Sequence, residues 1–184
     1  VDNWNIHQSI ASGIGYIPED RQTVGLVLNF AVEENLVVKT PTLSAFSKRG
    51  VLRRGQIRSN AETLIRKFDI RPPQPSMPVR WMSGGNQQKV IVARELSPQN
   101  RLIVAAEPTR GLDVGSVDYV HRMLLEQRDN EKGVILISTD LDEIMKLSDR
   151  VAVLFRGRII KTIDRGRMTR ETLGLLMAGV TDRE

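Results

Sequence analysis

Apolar residues recur along this chain with periods that change from segment to segment. Ile57, Ala61, Leu64, Ile65 and Phe68 fall at i, i+4, i+7, i+8 and i+11, one face of an amphipathic helix, with Arg58, Glu62, Arg66 and Lys67 off that face. Burying the large members of such a face contributes roughly 1.5–3 kcal/mol each, before entropy is subtracted. Residues 102–106 (LIVAA) and 134–138 (VILIS) are short unbroken apolar runs of buried-strand type. Residues 13–18 (GIGYIP) read as a short strand closed by proline. Residues 30–38 (FAVEENLVV) start as a helix that exposes Glu33 and Glu34. Gly115 and Ser116 open a helix that runs to about Asn130, with Val117, Val120 and Leu124 inward, His121 at its surface and Gly133 as its stop. Asp140, with Glu143 three residues on, is a helix start of the capping-box type. Residues 150–155 and 158–163 form a hairpin about Arg156 and Gly157. Thr169 caps a last helix with Leu173, Leu176 and Met177 inward. Between these elements, residues 40–55 are loop-like and basic, and residues 71–78 (RPPQPSMP) can be neither helix nor central strand. The first dozen residues show no clear period. Strands that alternate with helices point to the α/β class.

One stretch concentrates the candidate chemistry. Residues 81–113 (WMSGGNQQKVIVARELSPQNRLIVAAEPTRGLD) read as a glycine turn, a helix, a loop, a strand and a second turn. Gly84 and Gly85 let the backbone approach a ligand where other residues would clash. The helix that follows leaves free N–H groups and a partial positive charge at its start, which suits a phosphate. Pro98 stops that helix. The strand then delivers Glu107 to its carboxyl end, where open α/β sheets put their chemistry.

Composition narrows the picture a little. The 184 residues suffice for one α/β domain, with room for a small subdomain. Hydrophobic content of 40% and charged content of 27% are ordinary for a globule. No apolar run approaches the ~20 residues of a membrane span, and no secretory signal is visible. Without cysteine there are no disulfides, in keeping with the cytosol. A net charge of +5 admits nucleic acid, an anionic membrane face or a nucleotide without choosing among them. Aromatic content of 4% argues against a base-stacking surface, and no nucleic-acid partner is expected.

At residues 83–88 (SGGNQQ) the chain resembles the signature motif of the ATP-binding cassette (ABC) ATPases. Residues 102–108 look like the Walker B strand of that family, and residues 111–113 (GLD) like its D-loop. The resemblance covers residues 13–178 and implies an α/β, partial P-loop NTPase core with an inserted α-helical subdomain. The implied division is a core of residues 1–29 and 96–165, a helical subdomain of residues 30–95 that carries the signature, and a C-terminal helix and tail of residues 166–184. It further implies that Ser83 and the amides near Gly84 and Gly85 bind the γ-phosphate of ATP held by another cassette, with Asn86, Gln87 and Glu19 among the nucleotide-binding residues and Asp113 at the seam between the two. Glu107 takes the place of the general base or water-orienting carboxylate.

Several positions depart from the pattern. There is no GxxxxGK[ST] in the 184 residues, so the segment is expected to be the carboxyl-terminal part of a cassette, without useful ATP affinity or activity alone. The Walker B aspartate that holds magnesium is Ala106, so no metal ligand is expected there. The switch histidine is Thr139, and the Q-loop glutamine is Glu19. GYIPEDR with GLV downstream is similar to the second cassette of sugar and nucleoside importers. AAEPTRGLDVG and GLLMAG lean toward the nucleoside branch. The resemblance therefore implies an importer ATPase with ATP and Mg2+ as cofactors in the complete assembly. Its partners would be an N-terminal cassette of the same polypeptide or a second ATPase subunit, together with membrane permease subunits. Its place would be the cytoplasmic face of the plasma membrane, and the segment alone could self-associate. Two alternatives stand beside it: a non-catalytic dimerisation module, and a DNA-associated ABC-type ATPase, for which the basic charge is the feature in favour.

Overall fold

In the computed structural model, which describes residues 3–41 and 43–180, a buried helix and a parallel strand pair organise the first part of the chain. The tail at 181–184 lies outside the described residues. The chain divides into two units, Val1–Ile135 and Leu136–Glu184.

The first unit opens with a short helix α1 (Ile6–Ala11), which the absence of a clear period in this segment does not predict. Asn5 and Gln8 close a capping box at its start. Strand β1 (Ile14–Ile17) and a π-helical turn (Arg21–Gly25) follow. Asp20 caps that turn, accepting from the Gln22 and Thr23 amides at 2.9 and 3.0 Å. Helix α2 (Val32–Val37) lies where the sequence predicts it. The basic segment holds a small hairpin of β2 (Ser47–Lys48) and β3 (Val51–Leu52), turned by Arg49 and Gly50 at positive φ. Lys48, Arg49, Arg53, Arg54 and Arg58 on and after this hairpin are all exposed. Helix α3 (Arg54–Lys67) buries Ile57, Ala61, Leu64 and Ile65, the face its period predicts, and Phe68 is buried just beyond its end. Residues 71–78 form neither helix nor strand, as their prolines require.

Helix α4 (Gly84–Leu96) is the hub. Ten of its 13 residues are buried. It packs on α2, on β1, and on helix α5 (Val114–Asp129). A helix buried on most sides must satisfy its polar groups internally. Glu95 is fully buried and accepts from Lys39 Nζ at 2.5 Å, Arg94 Nε at 2.8 Å and the Tyr16 amide at 3.0 Å. Strand β4 (Leu102–Ala106) runs parallel to β1 in the register Ile14↔Leu102 to Ile17↔Ala105. Strand β5 (Gly133–Ile137) completes the order β1-β4-β5, and the Gly133 amide donates to the Arg101 carbonyl at 3.0 Å.

Three readings of this region need correction. His121 is buried, because the inward face of α5 is broad and takes in Val120, His121, Leu124 and Gln127 together. The helix is stopped by Glu131, not Gly133. Glu131 adopts φ 60°, and its amide and that of Lys132 return to the carbonyls of Arg128 and Gln127. Strand β5 is not a buried strand: it is an outer strand, and Ile135 and Ile137 are exposed by 49% and 53%.

The second unit packs helix α6 (Leu141–Leu147), the antiparallel pair β6 (Arg150–Phe155) and β7 (Arg158–Asp164), and helix α7 (Arg170–Met177) around Ile144, Val153, Ile163, Leu173 and Leu176. Arg156 and Gly157, at φ 48° and 77°, turn the hairpin as predicted. The Asp140 carboxylate caps α6 through the Asp142 and Glu143 amides. The reciprocal bond comes from elsewhere than predicted: the Asp140 amide donates to Ser138 Oγ at 3.0 Å. Thr169 caps α7 by accepting from the Thr172 amide at 3.1 Å.

Candidate functional site

The glycine turn and the loop after β4 come together at the N-terminal ends of α4 and α5. Ser83 is the N-cap of α4, with extended backbone, and its Oγ accepts from the Asn86 amide at 3.4 Å and from Asn86 Nδ2 at 3.0 Å. The amides of Gly84 and Gly85 open the helix, where no intrahelical acceptor is available. Ser83 is exposed and Gly85 is buried. Asp113 is the N-cap of α5. Its carboxylate accepts from the Ser116 amide at 3.0 Å and from the Ser116 hydroxyl at 2.8 Å. Those two bonds hold the Asp113 carboxyl below its ordinary 3.8.

The two caps touch through Gly85. A methyl group there would lie 2.1 Å from Ser116 Oγ and 3.3 Å from Asp113 Oδ2. Glycine is therefore demanded at residue 85 by close approach. Gln88 adds a second tie, its Nε2 donating to the Pro108 carbonyl at 2.6 Å. Residues 83–85 and 108–113 thus form one packed surface.

Other predicted residues are placed differently. Gln87 is buried, donating to the Val79 carbonyl at 3.1 Å and accepting from Gln22 Nε2 at 3.3 Å, so its carboxamide is engaged within the chain. Asn86 accepts from the Arg71 amide at 2.7 Å. Glu107 follows β4 directly at φ 43°, a left-handed conformation uncommon for a side chain of this kind. Its carbonyl accepts from the Arg110 amide at 3.1 Å, which closes the turn into the loop. Glu19 forms an ion pair with Arg110. Ala106 ends β4 and offers no side-chain oxygen. Thr139 lies in the second unit, exposed, between β5 and α6.

Two residues of this surface escape a reading by motif. Arg21 donates from Nη1 to the Arg110 carbonyl at 2.7 Å and from Nη2 to the Gly111 carbonyl at 3.3 Å. Ser116 carries the contact with Gly85. The spacing Asp113-x-x-Ser116 is a capping pattern that could have announced the second residue. Nothing local announces the first, because its partners are 89 and 90 residues away.

The ligand chemistry that fits this surface is anionic. Two helix N-termini, a capping serine and the Arg21 guanidinium near Gly84 suit phosphate oxygens. A divalent metal fits poorly at the end of β4, where Ala106 supplies no oxygen and Glu19 is already paired with a guanidinium.

No family model matches the chain. Over all 184 residues it is 46% identical to the guanosine import ATP-binding protein NupO of Bacillus subtilis (strain 168), of which it covers 36%. It is 42% identical over 179 residues to the nucleoside import ATP-binding protein NupA of Lactococcus lactis subsp. cremoris (strain MG1363), with 97% of this chain and 35% of that protein covered. It is 34% identical to the ribose import ATP-binding protein RbsA of Shouchella clausii (strain KSM-K16), over 90% of this chain and 33% of that one. The chain thus spans about a third of the length of these curated relatives. Among solved structures, the ATP-binding cassette MJ1267 superposes with a TM-score of 0.73 at 20% identity, covering 97% of this chain and 72% of that one. The dimeric cassette MJ0796 bound to ADP and Pi gives 0.67 at 21% identity, covering 84% of this chain and 63% of that one. The fold is that of an ATP-binding cassette with a helical subdomain.

Proposed function

We propose that this chain, a homologue of the sugar- and nucleoside-import ATP-binding proteins of ABC transporters, serves as the second-cassette part of an import ATPase and completes an ATP site held by a neighbouring cassette. That neighbour is an N-terminal cassette of the same polypeptide or a second ATPase subunit, and it carries the phosphate loop. The observation that carries this reading is the Ser83-capped start of α4, seated by Gly85 against the capped start of α5.

ATP with its magnesium, bound between two cassettes, supplies the phosphoryl transfer to water. Ser83 presents a hydroxyl to the γ-phosphate, and Gly84 and Gly85 present helix-start amides that no intrahelical carbonyl engages. Asp113, fixed by Ser116, sits on the same surface and so at the seam with the neighbour. Asn86 and Gln87 support the turn from within, their side-chain carboxamides bonding to the Arg71 amide and the Val79 carbonyl. Glu107 holds the place of the base that orients water in the chain's own site. Ala106 and, in the second unit, Thr139 each lack the charge that their positions call for in the family. The asymmetry supports a division of labour in which this half acts on its neighbour's nucleotide.

A permease is the second partner. Val24, Val27, Phe30 and Trp81 are exposed by 66%, 40%, 45% and 66%, on segments joined by the Val79 and Arg80 amides donating to the Phe30 and Leu28 carbonyls. Apolar side chains gathered in this way suit a protein interface. Among the described residues no helix is long and apolar enough to cross a membrane, and attachment to the inner face of the plasma membrane is proposed through the permease. Residues 30–95 then act as the helical subdomain, residues 1–29 and 96–165 as the ATPase core, and residues 166–184 as a C-terminal element. The transported class is a nucleoside, on the strength of the 46% and 42% identities to the guanosine and nucleoside proteins against 34% for the ribose protein.

Isothermal titration tests the reading. Mg-ATP added to the chain alone gives no binding heat; added to the chain mixed with a cassette bearing a phosphate loop, it gives ATP-dependent association. Micromolar binding by the chain alone contradicts the reading.

A further inference from the structure

We propose that Arg21 is a positioning residue for the hydrolysis assigned above: it holds the loop 107–113 against the turn 83–85, so that both meet the neighbour's phosphate as one body. This rests on the reading of the chain as one half of a composite ATP site.

Three observations carry the inference. The first is the fork. Arg21 Nη1 and Nη2 donate to the consecutive carbonyls of Arg110 and Gly111 at 2.7 and 3.3 Å. A guanidinium can take two adjacent carbonyls with a planar fork, whereas an ammonium is a single point charge without that geometry. The second is the base of the side chain. Arg21 begins the π-helical turn that Asp20 caps, with Thr23 Oγ1 donating to Asp20 Oδ2 at 2.6 Å. The guanidinium therefore reaches out from a fixed point. Beside it, the ion pair of Glu19 and Arg110 ties the same two segments a second time.

The third observation is electrostatic. A methyl group on Gly84 would lie 3.3 Å from Arg21 Nη2, so the cation stands next to the N-terminal end of α4, which is itself positive. The Arg21 Nε is buried and has no hydrogen-bond acceptor. The Asp113 carboxylate near Gly85 offsets part of this like charge, and a phosphate presented at 83–85 adds a second counter-charge. Arg21 thus does two things: its fork fixes the loop, and its charge raises the positive potential of the turn.

The two roles separate by substitution in the assembled import ATPase. Arg21→Lys keeps the charge and loses the fork. Arg21→Met loses both. The expected result is a kcat about tenfold below wild type in both variants, with KM for ATP within about twofold of wild type in R21K and raised severalfold in R21M. Wild-type kcat in R21K overturns the inference, and so does a loss in both variants with no difference in KM between them. If R21M does not fold, R21K alone decides through its kcat; if neither folds, Arg21 is a stability residue and the inference is wrong. Failure of the underlying reading shows separately, as wild-type assembly that either does not hydrolyse ATP or is indifferent to Ser83→Arg.

Discussion

Gly85 and Ser116 approach so closely that a methyl group on Gly85 would stand 2.1 Å from Ser116 Oγ and 3.1 Å from its Cβ. Two positive helix ends meet at this contact, and the Asp113 carboxylate beside them offsets their repulsion. A turn that must present amides outward is thereby stiffened from behind.

Gly85→Ala is expected to destabilise the chain by about 1–3 kcal/mol through overpacking. Rotating the serine hydroxyl removes the closest clash but breaks its bond to Asp113 and leaves the Cβ at a tight 3.1 Å. Gly85→Ala with Ser116→Gly should recover most of the loss. Urea unfolding of the two variants checks this, and additive losses would show that the contact is not the cause.

The carboxyls of Asp113, Asp20 and Asp69 are all held below their ordinary 3.8, respectively by Ser116, by Thr23 and by Lys89 with Arg71. For groups whose folded pKa is depressed, the stability they contribute is present above the unfolded value of about 3.9 and is lost as pH falls through the folded values. Stability should therefore be flat in this respect near neutrality and fall below about pH 4. Ser116→Ala should move the Asp113 carboxyl upward, as read by carbon-detected NMR titration.

Glu95 is fully buried with three donors around it, from Lys39, Arg94 and the Tyr16 amide. Glu95→Ala strands the nearby Arg94 and the amide of β1, and should cost about 3–5 kcal/mol. Differential scanning calorimetry would register the loss as a lower Tm; an unchanged Tm would mean that water or another acceptor satisfies these groups.

Ala106→Asp with Thr139→His restores side chains that the chain's own site lacks. If this half acts on its neighbour's nucleotide, steady-state ATP turnover of the assembled ATPase should stay within about twofold of wild type. A large gain would mean that the weakened site limits the cycle.

Much of this arrangement was legible in the residue order because its causes are local. Serine is a preferred helix cap and the helical period follows it directly, and the apolar run at 102–106 can only be a strand or a buried helix piece. The hairpin about Arg156 and Gly157 and the cap at Thr169 are of the same kind. What escaped depends on contacts between distant segments. Arg21 is one of five cations in the stretch from Arg21 to Arg53 by its sequence alone, and its role appears only once the carbonyls of Arg110 and Gly111 are brought to it. His121 reads as a surface residue until the buried face of α5 proves wide enough to include it. Residues 134–138 read as a buried strand, yet no periodicity reveals that β5 is an outer strand with Ile135 and Ile137 exposed.

The most direct test of the account is the ATP turnover of the assembled import ATPase carrying Ser83→Arg, which fills the mouth of the turn while leaving the buried side of α4 untouched. Loss of hydrolysis by about a hundredfold or more, with ATP still bound by the neighbouring cassette, is the predicted result. Turnover at the wild-type rate would mean that this turn does not meet a nucleotide, and would contradict the account.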